Sequence, residues 1–229
     1  MLIWDFIPMI HKKHTLPWGE VNLLLLGKSD QAGFDNSIDS YKKLVNEHSG
    51  IPENNIYLLN QVHGGLVLDA DSYSGDETRD ADGLFTASRG KVLVIKTGDC
   101  MPVFLWSGTR PLVAAIHAGW RGMTAEITEN FIQQYPDIWQ AYAGPCISME
   151  QYEVESDVTS KFLQGDPGVA LSDKPGKYHF GLVEHLHDSL EKKYNVELEY
   201  SGICTKESGD WFSHRGGDSG RNLNCIWIE

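Results

Sequence analysis

Apolar residues along the chain follow two spacings. Short unbroken runs bounded by glycine and polar residues predict buried strands at 21–27, 56–62, 92–96, 103–106, 112–116, 138–143, 196–203 and 225–228. The apolar start, residues 1–10, predicts an edge strand. Helical spacing predicts four helices. They lie at 35–48 through Ile38, Tyr41, Leu44 and Val45, at 124–134 through Ile127, Phe131 and Ile132 with Thr124 as cap, at 154–163, and at 181–194 through Leu182, Val183, Leu186 and Leu190. Residues 51–55 read as a turn, and 72–82 and 164–176 read as polar loops. Strands and helices do not strictly alternate, which predicts an α+β fold of layered mixed sheets with outer helices.

Three of the apolar runs end in chemistry. One leads into Gln61-Val62-His63-Gly64-Gly65. Another leads into Gly98-Asp99-Cys100-Met101-Pro102. The third, 112–116, ends in His117-Ala118-Gly119-Trp120-Arg121-Gly122. A histidine thus sits at a strand end with Arg121 near the start of the next helix, a geometry suited to holding an anion. Further along, Phe212 to Arg221 places Arg215 and Arg221 among glycines, again suited to phosphate or carboxylate. His179, His185 and His187 flank or decorate a helix and are expected to lie outside the site.

Bulk composition narrows the setting. The chain has 229 residues, 41% hydrophobic and 22% charged, which suits one domain spanning 1–229. Its net charge of −13 argues against nucleic-acid polymers and anionic membranes as partners, while leaving room for a small anion held by local arginines. No apolar run is long enough to span a membrane, and the start lacks the pattern of a signal peptide. The four cysteines, Cys100, Cys146, Cys204 and Cys225, are widely spaced. Reduced thiols in the cytoplasm are therefore expected. The oligomeric state is open between a monomer and a small homo-oligomer.

His63, Cys100 and His117 make a two-histidine, one-cysteine set. Zinc accepts nitrogen and thiolate donors, and catalytic zinc sites use three protein ligands and leave a position open. The same residues admit a metal-free reading, a cysteine hydrolase or amidase with Cys100 as nucleophile and a histidine as base. A closed structural zinc module is disfavoured by the three-ligand count. A copper-dependent polyphenol oxidase is disfavoured because such enzymes carry many His-x-His pairs, whereas this chain has nine histidines and one such pair, His185-Leu186-His187. Copper remains an adventitious occupant of the same ligands. Asp99 is placed to orient a ligand histidine, contact a sugar or shuttle a proton.

Taken together, Gln61-Val-His-Gly64, Asp80-Ala-Asp-Gly83, Asp99-Cys-x-Pro102, His117-Ala-Gly-Trp-Arg-Gly122, Gly144-Pro-Cys-Ile147, Phe212-Ser-x-Arg215 and Gly220-Arg221 resemble one family over nearly the whole chain. That family is the laccase-domain proteins, formerly labelled polyphenol oxidases and now described as zinc-dependent purine nucleoside phosphorylases. The resemblance implies layered sheets between helices, an α/β/β/α-like sandwich. It implies zinc on His63, Cys100 and His117, and phosphorolysis of adenosine, inosine, guanosine and 5′-methylthioadenosine with adenosine deamination besides. Asp99 would join the catalytic group, and Gln61, Arg121, Arg215 and Arg221 would bind substrate or phosphate. The chain departs from the family pattern at Gly216, where a second tail arginine is usual, and at Gly98, where alanine is usual.

Overall fold

The structure is a computed structural model describing residues 9–72 and 79–229. The chain opens with a hairpin of β1 (Met9–Leu16) and β2 (Gly19–Leu26), followed by α1 (Ile38–Ser49), β3 (Ile56–Tyr57) and β4 (Val67–Asp69). Next come β5 (Gly83–Thr86), β6 (Val92–Thr97), β7 (Met101–Ser107), β8 (Val113–Ala118), α2 (Trp120–Thr124), α3 (Ile127–Gln134) and β9 (Trp139–Ala143). The remainder holds β10 (Glu153–Glu155), α4 (Ser156–Thr159), β11 (Val169–Leu171), β12 (Lys177–Phe180), α5 (Leu182–Tyr194), β13 (Leu198–Tyr200) and β14 (Asn222–Ile228).

These strands form a five-stranded sheet in the order β1-β2-β14-β6-β3, a six-stranded sheet in the order β13-β9-β7-β8-β5-β4, and a small sheet, β10-β12-β11. Side chains alternate across a strand, and both faces of the central strands are covered. Leu23, Leu25, Leu93, Ile95, Ile226 and Ile228 of the five-stranded sheet meet Phe104, Trp106, Val113 and Ala115 of the six-stranded sheet. The intervening residues Leu24, Leu26, Val92, Val94, Leu223 and Cys225 pack on Tyr41, Leu44 and Val45 of α1. The far face of the six-stranded sheet, through Val103, Leu105, Ala114 and Ile116, packs on α3 and α5. The layers therefore run helix, sheet, sheet, helix, as expected. Burial on both faces is why the strands read as unbroken apolar runs.

The ends of α1 fall where the sequence puts them. The Ser37 hydroxyl accepts the Ser40 N–H at 3.2 Å, and Gly50, at φ 73°, closes the last turn. Other boundaries differ. The helix expected at 124–134 is two helices, with Glu126 left-handed at φ 50° between them. Thr124 ends the first helix instead of capping the second, its hydroxyl donating to the Trp120 and Arg121 carbonyls. Residues 154–163 hold only the four-residue α4, because Val154 belongs to β10, and the loop at 164–176 contains β11. The strands expected at 56–62 and 196–203 shrink to β3 and β13. Residues 1–8 and 73–78 of the expected edge strand and acidic loop lie outside the described residues; an edge strand does form at β1. No helix among the described residues is long and apolar enough to cross a membrane.

Candidate metal centre and cavity

Topology gathers the three proposed ligands. β3 and β6 are parallel neighbours in the five-stranded sheet, so the segments leaving them depart from the same edge. Both then cross to the six-stranded sheet, one to β4 and one to β7. His63 rides on the first crossing and Cys100 on the second. β7 runs antiparallel to β8, with Pro102 opposite His117 and Met101 opposite Ala118. The start of β7 therefore lies beside the end of β8, and Cys100 meets His117. The donor atoms of His63, Cys100 and His117 all lie within 4.8 Å of one another, and the two imidazoles meet edge-on with centroids 4.8 Å apart. Such close approach needs Gly119, since a Cβ there would sit 2.8 Å from the Cys100 Sγ.

The residue that arms this group is Asp82, fully buried on the approach to β5. The His117 Nδ1–H donates to its Oδ1 at 2.8 Å, which leaves Nε2 as the free donor of that ring. The same carboxylate accepts the backbone N–H groups of Val62 (3.3 Å), His63 (2.8 Å) and Gly64 (2.6 Å). These bonds hold His63 at a left-handed φ of 61°, uncommon for a residue with a Cβ. A bare buried carboxylate costs several kcal/mol, roughly; four N–H donors offset that cost. Burial pushes the Asp82 pKa up, but the His117 and backbone hydrogen bonds overcome it and bring it below the usual value. Asp82 stood in the sequence within Asp80-Ala-Asp82-Gly83, but its role was not assigned there.

The electrostatics prepare ligands. Burial raises the Cys100 thiol, yet hydrogen bonds and charge from His117 and His63 bring it down to about 6. Burial lowers His117, yet Asp82 and Cys100 lift it to about 9. A thiolate and two imidazoles, one held by a carboxylate, fit a single N,N,S metal site whose fourth side is open to a cavity. Among the described residues it is the one group of three or more such side chains that can hold an ion.

The cavity has a volume of about 650 Å³, and His63, Cys100 and His117 share its wall with Gln61, Lys96, Asp99, Tyr152, Arg215 and Arg221. Asp99 does not orient a histidine. Its carboxylate accepts the Thr205 and Ser213 hydroxyls and the Arg215 N–H, each at 2.7 Å, and so pins the tail loop to the site. That loop is built, not loose: Asp218 accepts the Ser213 N–H and pairs with Lys28. At Gly98 a Cβ would come within 3.3 Å of the His214 nitrogen, so the loop lies tight against this position. Gln61 spends its amide on the Lys96 backbone, donating to its carbonyl and accepting its N–H, both at 2.8 Å. Arg215 donates to the Glu153 carbonyl and lies over the Tyr152 ring.

Arg121 is exposed, stacks on the neighbouring Trp120 at 4.3 Å, and is absent from the cavity lining. His179 and His185 are bound to the Met149 carbonyl and the Asp166 carboxylate, outside the cavity, as expected. All four cysteines are free. Burial raises the thiols of Cys146 and Cys225, so neither shares the character of Cys100. The sequence reading missed Lys96 and Tyr152 on the cavity wall. The signal for Lys96 was a charge in a strand run, at a position where the alternation Val92, Val94 calls for an apolar side chain.

Comparison with known proteins agrees with this architecture. The chain is 31% identical to a purine nucleoside phosphorylase of Haemophilus influenzae over 99% of this chain and 97% of the relative. It is 34% identical to a purine nucleoside phosphorylase of Deinococcus radiodurans, covering 74% of this chain and 69% of the relative. The fold is shared with the crystal structure of Bacillus licheniformis hypothetical protein YfiH, at a TM-score of 0.80, 22% identity and coverage of 91% and 93%. It is shared also with a Neisseria meningitidis protein of family DUF152, at a TM-score of 0.81, 24% identity and coverage of 96% and 99%. Residues 17–229 match the family model described as multi-copper polyphenol oxidoreductase laccase. The description speaks of several coppers, whereas the described residues offer one three-donor group. With nearly the whole chain matched, the protein belongs to this laccase-like family.

Proposed function

We propose that the protein is a zinc-dependent purine nucleoside phosphorylase that also deaminates adenosine. The observation carrying this reading is the convergence of two histidines and a low-pKa cysteine on the wall of a polar cavity large enough for a nucleoside. The relatives named purine nucleoside phosphorylase support the same reaction class. Zinc suits the donor set, and when bound it supplies Lewis-acid assistance and an activated water. His63, Cys100 and His117 hold it, and Asp82 fixes the tautomer of His117. Tyr152 lends an aromatic wall for the base; burial pushes its phenol up to about 12, so it stays neutral and able to donate. Arg215 and Arg221 bring positive charge to the cavity wall. In phosphorolysis a phosphate oxygen bonds to the ribose C1′ as the C1′–N9 bond breaks, and the departing base takes a proton. In deamination water adds at adenine C6 and ammonia leaves, with no need of phosphate.

Adenosine incubated with zinc-loaded protein, with and without phosphate, tests the reading by chromatography. Adenine and ribose 1-phosphate are expected only with phosphate, and inosine in both. Absence of all three products would refute it.

The line Asp82–His117–Cys100 also favours a second reading, because a carboxylate, imidazole and thiolate in series form a nucleophilic relay. Cys100 would then attack an acyl or amidine carbon. The second histidine on the same thiolate favours the metal. Metal content of Cys100→Ser separates the two: marked loss is expected for a ligand, and little change for a nucleophile.

A further inference from the structure

Lys96 is out of place by pattern. It continues the β6 face of Val92 and Val94, which packs on α1, and sits opposite Leu223 of β14. It is half-buried and lines the cavity. Its ammonium has no hydrogen-bond or ion-pair partner among the described residues. Burial and the charge of Arg221 both depress its pKa, and no carboxylate acts on it to raise it. Arg221, half-buried, donates only to the Ser219 and Gly220 carbonyls. The nearby Asp99 is committed to Thr205, Ser213 and Arg215, and Asp80 to Asn60. Two cations thus face one cavity, neither of them ion-paired with a carboxylate among the described residues, in a chain whose net charge of −13 repels anions. Gln61 adds a deliberate hold, fixing the Lys96 backbone where the β3–β6 ladder has already ended at Tyr57–Leu93.

We propose that Lys96 and Arg221 together form the anion-holding end of the cavity, taking a phosphate dianion, with Gln61 as the residue that positions Lys96. This rests on the phosphorylase reading for its place in catalysis, though not for the binding itself. A dianion between two half-buried cations relieves their mutual repulsion and gains charge-assisted hydrogen bonds. Arg215 is differently placed, held on the Glu153 carbonyl and the Tyr152 ring, and Arg121 lies outside the lining. The dianion is free phosphate or the phosphomonoester of a phosphorylated sugar.

Calorimetry on the metal-loaded protein, with inorganic phosphate and with ribose 5-phosphate, tests the site. Loss of one charged hydrogen bond should weaken binding about tenfold or more in Lys96→Met and in Arg221→Met. Lys96→Arg should recover most of it, and Lys161→Met, which removes an exposed charge elsewhere, should leave it unchanged. Gln61→Leu should weaken binding by a smaller factor and leave Lys96→Met no weaker when combined with it. Tighter binding of phosphate identifies the free ion as ligand, and tighter binding of ribose 5-phosphate identifies the ester; either supports the site. Binding of neither probe, or affinity in Lys96→Met within about twofold of the unaltered protein, overturns it. If phosphate binds through Lys96 but no nucleoside is cleaved, the site stands and the phosphorylase reading falls. If cleavage needs phosphate and its KM for phosphate is unmoved in Lys96→Met, the reading stands and the site falls.

Discussion

The Asp82 carboxylate that accepts His117 Nδ1–H at 2.8 Å also accepts the His63 N–H at 2.8 Å. One buried side chain therefore sets the tautomer of one candidate ligand and the backbone of the other. Asp82→Asn keeps the shape but loses the charge and presents an amide to donors. Outer partners of this kind alter metal affinity about 10–100-fold. A loss of that size in competition with a chelator dye is expected, with Cys100→Ser losing more. Unchanged affinity in Asp82→Asn would show that Asp82 serves the loop alone.

Metal binding should release a proton near neutral pH. In the metal-free protein Cys100 titrates at about 6 and His117 at about 9, so between these values the thiol is ionised and the imidazole is still charged. A metal needs the thiolate and a neutral ring. The His117 proton must therefore leave, and affinity should rise with pH up to about 9. Below about 6 the thiol adds a second proton and the slope steepens. Calorimetry of zinc binding in two buffers of unequal ionisation enthalpy counts the protons; none released at pH 7 would contradict the thiolate–imidazolium pair.

Gly119→Ala tests the packing of the centre. Its Cβ would lie 2.8 Å from Cys100 Sγ and 3.5 Å from His63 Cδ2, so the thiolate must move. Metal affinity should fall at least about tenfold, while unfolding shifts by no more than the ~1–3 kcal/mol of a local overpacking. Native metal affinity in this variant would mean that the ligands adapt freely.

Asp99, expected in the catalytic group, also anchors the tail loop through its contacts. Asp99→Ala leaves two hydroxyls and the Arg215 N–H without their acceptor. Hydrogen bonds to a charged group are worth about 1.5–3 kcal/mol each, and partial solvation of the loop reduces the sum. Destabilisation of about 3 kcal/mol in urea unfolding is expected. A variant of native stability with lost turnover would return Asp99 to the catalytic group.

The strands buried on both faces, such as β2, β6 and β8, are legible in the sequence because burial demands unbroken apolar runs. The candidate ligands are legible because glycine, proline and charge interrupt those runs abruptly at His63, Cys100 and His117. Side-chain commitments are not. Gln61 and Asp99 look like site residues by type and place, and only the fold reveals that Lys96 and the tail loop already occupy their hydrogen bonds. Arg121, at the start of α2, is exposed and stacks on the neighbouring Trp120, a pairing that residue type and place do not announce. Asp82 was hidden because its partners, His63 and His117, lie 19 and 35 residues away and meet only through the sheets.

The most direct test is a zinc titration of the metal-stripped protein, following adenosine phosphorolysis and bound metal together. Activity should rise in proportion to bound zinc, saturate at about one ion per chain as a single three-ligand site requires, and fail to appear in His117→Ala. Full turnover in the metal-free protein, or activity that ignores the first equivalent bound, would contradict the claim that His63, Cys100 and His117 act by holding a metal.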